Sequence, residues 1–92
     1  MLEEFYKGDK LWEDFVSVFP KHDSLQCKEE YKQLFNNMNM NKDLSVVIYE
    51  LIGSKESLNW VTQDNPALGG LKPIECLEGN LLNRLRTMLM RF

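Results

Sequence analysis

A chain of 92 residues, 43% hydrophobic and 27% charged with a formal net charge of −3, suits one small globular domain with a single core and excludes wholesale disorder. Its apolar runs fall far below the roughly 20 residues of a membrane-spanning helix, and the Met1-Leu2-Glu3-Glu4 start is acidic where a secretory leader is basic, so a cytoplasmic protein with no membrane partner is expected. The charge is uneven: residues 1–46 carry six lysines against nine acids, residues 47–92 balance five against five, and Arg84, Arg86 and Arg91 lie in an acid-free final stretch of thirteen residues.

Helical spacing of apolar residues recurs along the chain and strict alternation does not, which predicts an all-α fold, a small bundle of five to six helices in a single domain over residues 1–92. Asp9 is placed to cap a first helix in which Leu11, Trp12, Phe15, Val16 and Phe19 repeat at helical intervals, and Pro20 stops it. Asp23 or Ser24 opens a second, with Cys27, Tyr31, Leu34, Phe35 and Met38 along one face and the Asn-rich run 36–41 as its end. In the third, Leu44, Val47, Ile48 and Leu51 form one stripe and Val46, Tyr49 and Ile52 a second, which makes it the most buried helix; Gly53 ends it. Ser54 is placed to cap a short fourth helix bearing Leu58, Trp60 and Val61.

A Pro/Gly-rich loop spans residues 63–73, with Asn65-Pro66-Ala67-Leu68-Gly69-Gly70 followed by Pro73. Proline fixes φ and withholds a donor while glycine admits positive φ, so this density of both specifies one particular connection, with Leu68 pinning it to the core. Pro73 then begins a helical turn through Leu77, Gly79 and Asn80 interrupt, and Leu81, Leu82, Leu85, Met88, Leu89 and Phe92 continue as a final amphipathic helix. Trp60, Leu77, Leu81 and Leu85 are the expected core around the loop.

Residues with reactive chemistry are few. Cys27 and Cys76 are too few and too far apart for a disulfide framework or a zinc site and read as two partly buried free thiols; His22 reads as an exposed loop residue. Adjacent acids such as Glu13-Asp14 and Glu29-Glu30 diverge on a helix. No acid, base, nucleophile or metal set assembles, so no enzyme activity, cofactor or metal is expected. The loop glycines lack the Gly-Lys-Ser/Thr continuation and the preceding strand of a phosphate-binding loop. Phe5, Tyr6, Trp12, Phe15 and Phe19 are dense for nineteen residues, which suggests a helical arm over residues 1–43 that packs on a second copy and makes a homodimer.

From Val47 to Phe92 a linked pattern appears: a helix ending in Gly53, Trp60-Val61, Asn65-Pro66-Ala67-Leu68-Gly69-Gly70, Pro73-Ile74-Glu75 with Leu77, and a final amphipathic helix closing with Arg91 and an apolar residue. This half resembles the toxin-binding domain of the Xre/MbcA/ParS antitoxin family, with Lys72 standing where relatives have Thr or Ser before the proline. The resemblance implies that residues 44–92 form a non-enzymatic module that neutralises a cognate toxin, a RES-type enzyme that consumes NAD, by docking its C-terminal helix at the toxin active site. Arg84, Met88, Arg91 and Phe92 are then the candidate partner-binding residues. The alternative is a DNA-binding transcriptional regulator with a divergent helix-turn-helix over residues 24–38 and 43–52. Nucleic acid is the less expected partner, because that half of the chain is net negative and phosphate neutralisation dominates such binding.

Overall fold

Six consecutive residues, Leu44 to Tyr49, are buried on one helix, so the element with two apolar stripes is the axis of the structure. The computed structural model describes residues 2–92 and contains six α-helices: α1 (Asp9–Val16), α2 (His22–Leu25), α3 (Glu29–Asn37), α4 (Lys42–Ile52), α5 (Glu56–Val61) and α6 (Gly79–Met90). Three 3-10 turns, Leu2–Phe5, Pro66–Leu68 and Pro73–Glu75, complete it. Among the described residues there is no strand, only an isolated antiparallel bridge between Asn65 and Leu71, and the fold is all-α as expected. Each of the other five helices packs against α4. A helix that is apolar on two sides must be covered on both, and this ring of short helices covers it. No helix is long and apolar enough to cross a membrane, the described residues considered.

Local chemistry explains where α4 begins and stops. The Asn41 side chain accepts the Leu44 N–H at 3.0 Å, one of the donors a helix start leaves without an intrahelical partner. The Asn-rich run therefore serves the helix that follows it as well as ending the one before. Gly53 closes α4, its N–H donating to the Tyr49 carbonyl.

Residues 9–38 depart from expectation in three places. The first helix ends at Val16 rather than running to Phe19; Ser17 to Phe19 form a tighter turn, with Val18 N–H on Phe15 O and Phe19 N–H on Val16 O. Pro20 disfavours a helical conformation at the residue before it, so the last turn loosens ahead of the proline. Asp9 lies inside the first turn behind Gly8 and makes no cap, because its carboxylate is engaged by Tyr6 and Arg86. The expected second helix is two helices, α2 and α3, joined through Gln26 to Lys28. At 100° per residue Leu25 and Tyr31 would sit about 120° apart on one continuous helix. Breaking the helix lets both enter the core, at 4% and 1% exposure, and leaves Cys27 exposed in the turn rather than partly buried.

Two further starts differ. Ser54 does not cap α5: Lys55 occupies the cap position without a side-chain bond, and the Gly53 carbonyl accepts from Ser57 N–H. Gly79 opens α6 instead of interrupting it, with φ +59 turning the chain out of the extended Glu78.

The core draws on both halves of the chain. Trp12, Leu25, Tyr31, Leu34 and Met38 join Leu44, Val46, Val47, Ile48, Tyr49, Val61, Leu68, Cys76, Leu85, Met88 and Leu89 in one cluster. Residues 1–43 are thus part of the same packed unit as residues 44–92. Phe15 and Phe19 meet edge to face at 5.1 Å and are partly buried, so most of the N-terminal aromatic excess points inward. Truncating a fully buried member should show this single core directly. Leu34→Ala is expected to cost about 2–5 kcal/mol of global stability by urea unfolding, in one cooperative transition, whereas Val18→Ala at an exposed turn should change it by less than about 0.5 kcal/mol.

Candidate partner-binding surface

The loop sets the direction of α6 through a closed set of hydrogen bonds centred on Asn65. Its N–H donates to Leu71 O at 2.9 Å, its carbonyl accepts from Leu68 and Gly70 N–H at 2.9 and 3.0 Å, and its side chain accepts the Ala67 N–H at 2.9 Å. Leu68 is fully buried and Pro66, Ala67, Gly69 and Gly70 are exposed, so one side chain anchors the turn while its backbone stays at the surface. Pro73 is buried and starts the next 3-10 turn, which stops at Glu75 rather than Leu77. The Glu75 carboxylate accepts the Lys72 N–H at 2.9 Å, replacing the side-chain cap that Lys72 cannot supply. Cys76 is buried, and burial raises its thiol pKa.

Around this loop, Leu85 is fully buried, whereas Trp60, Leu77 and Leu81 are partly buried at the edge of the core. Phe92 meets Trp60 edge to face, with ring centroids 6.4 Å apart.

The four candidate partner-binding residues do not share one surface. Met88 is buried in the core cluster, and the Arg84 side chain is only 13% exposed. Arg91 and Phe92 are exposed, Phe92 at 64%. The arginines of α6 are instead gathered by the N-terminal segment. Arg84 Nε and Nη2 donate to the two carboxylate oxygens of Glu3 at 2.8 and 2.9 Å, and Nη1 donates to the Leu68 carbonyl at 3.0 Å. Such two-pronged, charge-assisted bonding fixes orientation as well as contact. Arg86 Nη1 donates to Tyr6 Oη at 2.9 Å and to Asp9 at 3.3 Å, with its guanidinium 5.3 Å from the Trp12 ring centre. The Arg91 guanidinium lies 4.5 Å from the Phe5 ring centre.

The result is a strap, residues 2–8, laid across α6. Thr87 stands about 160° around the helix from Leu85, yet both are buried. Only cover on a second side explains that, and Thr87 shares a groove of about 240 Å³ with Phe5, Lys7, Leu11, Met90 and Arg91. Apolar Phe5, Leu11 and Phe92 remain largely exposed at this end of the molecule beside the cations Lys7 and Arg91. Sequence spacing correctly sets Arg84 and Arg86 on diverging directions, but it carries no signal that a segment about eighty positions away would span the gap between them.

Electrostatics follow the geometry. The fork from Arg84 holds the Glu3 carboxyl far below its ordinary range, at about 2, and the same contact raises the Arg84 guanidinium further. Burial, with the Asp9 hydrogen bond second, raises the Tyr6 phenol.

A second hollow, of about 390 Å³, lies over α2 and α3 and is lined by His22, Gln26, Tyr31, Lys32, Phe35 and Asn36. His22 is partly buried here rather than exposed: Nδ1 lies 2.6 Å from Tyr31 Oη, and Nε2 lies 2.7 Å from the Gln26 amide nitrogen. A neutral imidazole satisfies both bonds by accepting from Gln26 and donating to Tyr31. Cys27 is not a partner, and burial pushes Tyr31 up to about 12, so it remains a phenol at neutral pH. The described residues contain no group of three or more His, Cys, Asp or Glu side chains able to hold a metal.

Comparison with known proteins returns nothing to set beside this geometry: no protein-family model, no curated protein and no solved structure matches the chain.

Two measurements probe the site. Gly70 has φ +84 with open space where a Cβ would stand, so Gly70→Ala should cost about 1–2 kcal/mol through backbone strain alone and should leave the core signal in near-UV circular dichroism intact. The Glu3 pKa is depressed on folding, so its contribution to stability is present above pH 4.5 and is lost as the pH falls toward 2. Urea unfolding across that interval should therefore show a shallower decline for Glu3→Gln than for the parent chain; parallel declines would disprove the coupling.

Proposed function

We propose that the chain is a non-enzymatic protein-binding module of the antitoxin type, which neutralises a cognate RES-type, NAD-consuming toxin by presenting the end of α6 to its active-site cleft. The observation that carries this proposal is the placement of Arg91 and Phe92: a cation and an aromatic ring, both exposed, at the tip of a helix that the loop and the core hold rigidly. Arginine and aromatic side chains are the residue types most often found as interface anchors, and an anchor costs less to order when its scaffold is already fixed. Phe5 and Leu11 extend the same surface with apolar area, and Lys7 adds charge suited to an acidic cleft. The resemblance over residues 47–92 points to the same end of the molecule.

The helix-turn-helix alternative is disfavoured by burial. A recognition helix must offer side chains to base edges, and α4 has given six consecutive residues to the core, leaving Lys42 and Glu50 as its exposed side chains. The aromatics that suggested a dimerising arm, Trp12, Phe15 and Phe19, are largely turned inward, so self-association is not part of the proposal.

Co-expression with a RES-type toxin encoded beside this chain should yield a stable complex and restore growth. Arg91→Ala with Phe92→Ala should reduce toxin retention by roughly tenfold or more, while the chain stays folded with one cooperative urea transition, the loss of the Arg91–Phe5 and Phe92–Trp60 contacts costing at most about 1–2 kcal/mol. Undiminished retention in the double variant, or no complex at all, would remove the proposal.

A further inference from the structure

The side of α6 beneath the strap is not built like a core face. Thr87 and Met90 line the groove there, the Thr87 hydroxyl donating back to the Asn83 carbonyl, and Arg84 and Arg86 flank it, with Arg91 one turn beyond Thr87. A narrow partly apolar floor between guanidinium groups suits a segment that carries both a carboxylate and an aromatic ring. The chain supplies such a segment itself. Glu3 occupies the Arg84 fork and the Phe5 ring lies under Arg91, so an acid and an aromatic two positions apart meet two different arginines. We propose that this face of α6 is a docking groove for an acidic protein segment of the form acid-X-aromatic, and that Glu3-Glu4-Phe5 is its resident, displaceable occupant.

Four further observations support displacement over permanent burial. The Leu2–Phe5 turn contains no fully buried residue, so lifting it uncovers only the partly buried Leu2 and the Thr87 side of α6 while breaking the polar contacts of Glu3. Arg84 is held from the other side by the Leu68 carbonyl, so its guanidinium stays aimed when Glu3 leaves. Arg86 Nε is buried and has no hydrogen-bond partner. The resident strap thus leaves one donor unsatisfied, a cost that an incoming segment with a second carboxylate could relieve. Gly8, at φ +104 with nothing near its missing Cβ, provides the joint at which residues 2–7 would swing away from α1. A strap on so short a tether acts at an effective concentration on the order of millimolar, so the intact chain resists a competing segment at micromolar concentration.

Like the function proposed above, this places recognition on α6, but it can be tested without any toxin, so either proposal can fail alone. The probe is a fluorescently labelled synthetic peptide of residues 2–9, added at low salt to the full-length chain and followed by anisotropy. Glu3→Arg sets like charges against Arg84 and should release the strap, and this variant is expected to bind the peptide at least about tenfold more tightly than the parent chain. Combining Glu3→Arg with Arg84→Glu re-pairs the strap in reversed polarity and removes the guanidinium that would donate to the peptide's carboxylate, so binding should fall back to the parent level. If Glu3→Arg does not fold by circular dichroism, Glu3→Gln, which removes the charge and keeps the shape, takes its place. A folded Glu3→Arg or Glu3→Gln chain that binds the peptide no better than the parent, or a reversed pair that binds it as tightly as Glu3→Arg, overturns the proposal.

Discussion

Arg84 is the constraint on which the arrangement of the surface depends. One guanidinium joins three places remote in sequence: the Leu68 carbonyl in the loop, the helix that carries the arginine, and the Glu3 carboxylate in the strap. The loop contact orients the side chain, the fork fixes the strap, and the strap covers the second side of α6. Residues 2–5 have no fully buried side chain, Leu2 being only partly buried against the core, so the fork adds a fixed polar anchor to limited apolar packing. A polar interaction thus contributes to a packing result, the burial of Thr87 on the side of α6 opposite Leu85.

The rest of the fold gives that interaction a fixed frame. A short chain cannot build a large core, so it wraps short helices around the one helix that is apolar on two sides. The loop's backbone bonds around Asn65, with Leu68 as its anchor, then deliver α6 at a defined angle to that axis. Apart from Val18 and Met40, which are exposed elsewhere, the large apolar side chains this leaves exposed are Phe5, Leu11 and Phe92, with the cations Lys7 and Arg91 beside them. An acidic chain thereby presents a compact cationic and aromatic end, which is the physical basis of the binding role proposed for it.

Most of the architecture was legible in the sequence because it rests on local signals. The two stripes of α4, its stop at Gly53, and the rigid loop with Leu68 as its pin all follow from periodicity and from the conformational limits of glycine, proline and asparagine. The α2–α3 break was not legible: no proline or glycine marks Gln26 to Lys28, and the bend exists because Leu25 and Tyr31 can then both reach the core. The role of Gly79 at the start of α6 was not legible either, because a glycine before a helix and a glycine interrupting one look alike in sequence. The site was the least legible part. Arg84, a candidate for partner binding in the sequence, is held in cis by Glu3, and Met88, another such candidate, lies in the core. Long-range charge pairing has no periodicity to read, and helical spacing places Met88 on a face without saying what covers it.

The central claim is that the N-terminal segment occupies the arginine face of α6 in the free protein. Nuclear magnetic resonance of the arginine Nε–H groups with nuclear Overhauser contacts from the aromatic rings tests it most directly. The account predicts a slowly exchanging Arg84 Nε–H signal that sharpens or shifts as the Glu3 carboxylate titrates near pH 2, together with contacts from the Phe5 ring to the Arg91 side chain. An Arg84 Nε–H that exchanges with water as fast as a free arginine, with no contact between Phe5 and Arg91, would contradict it.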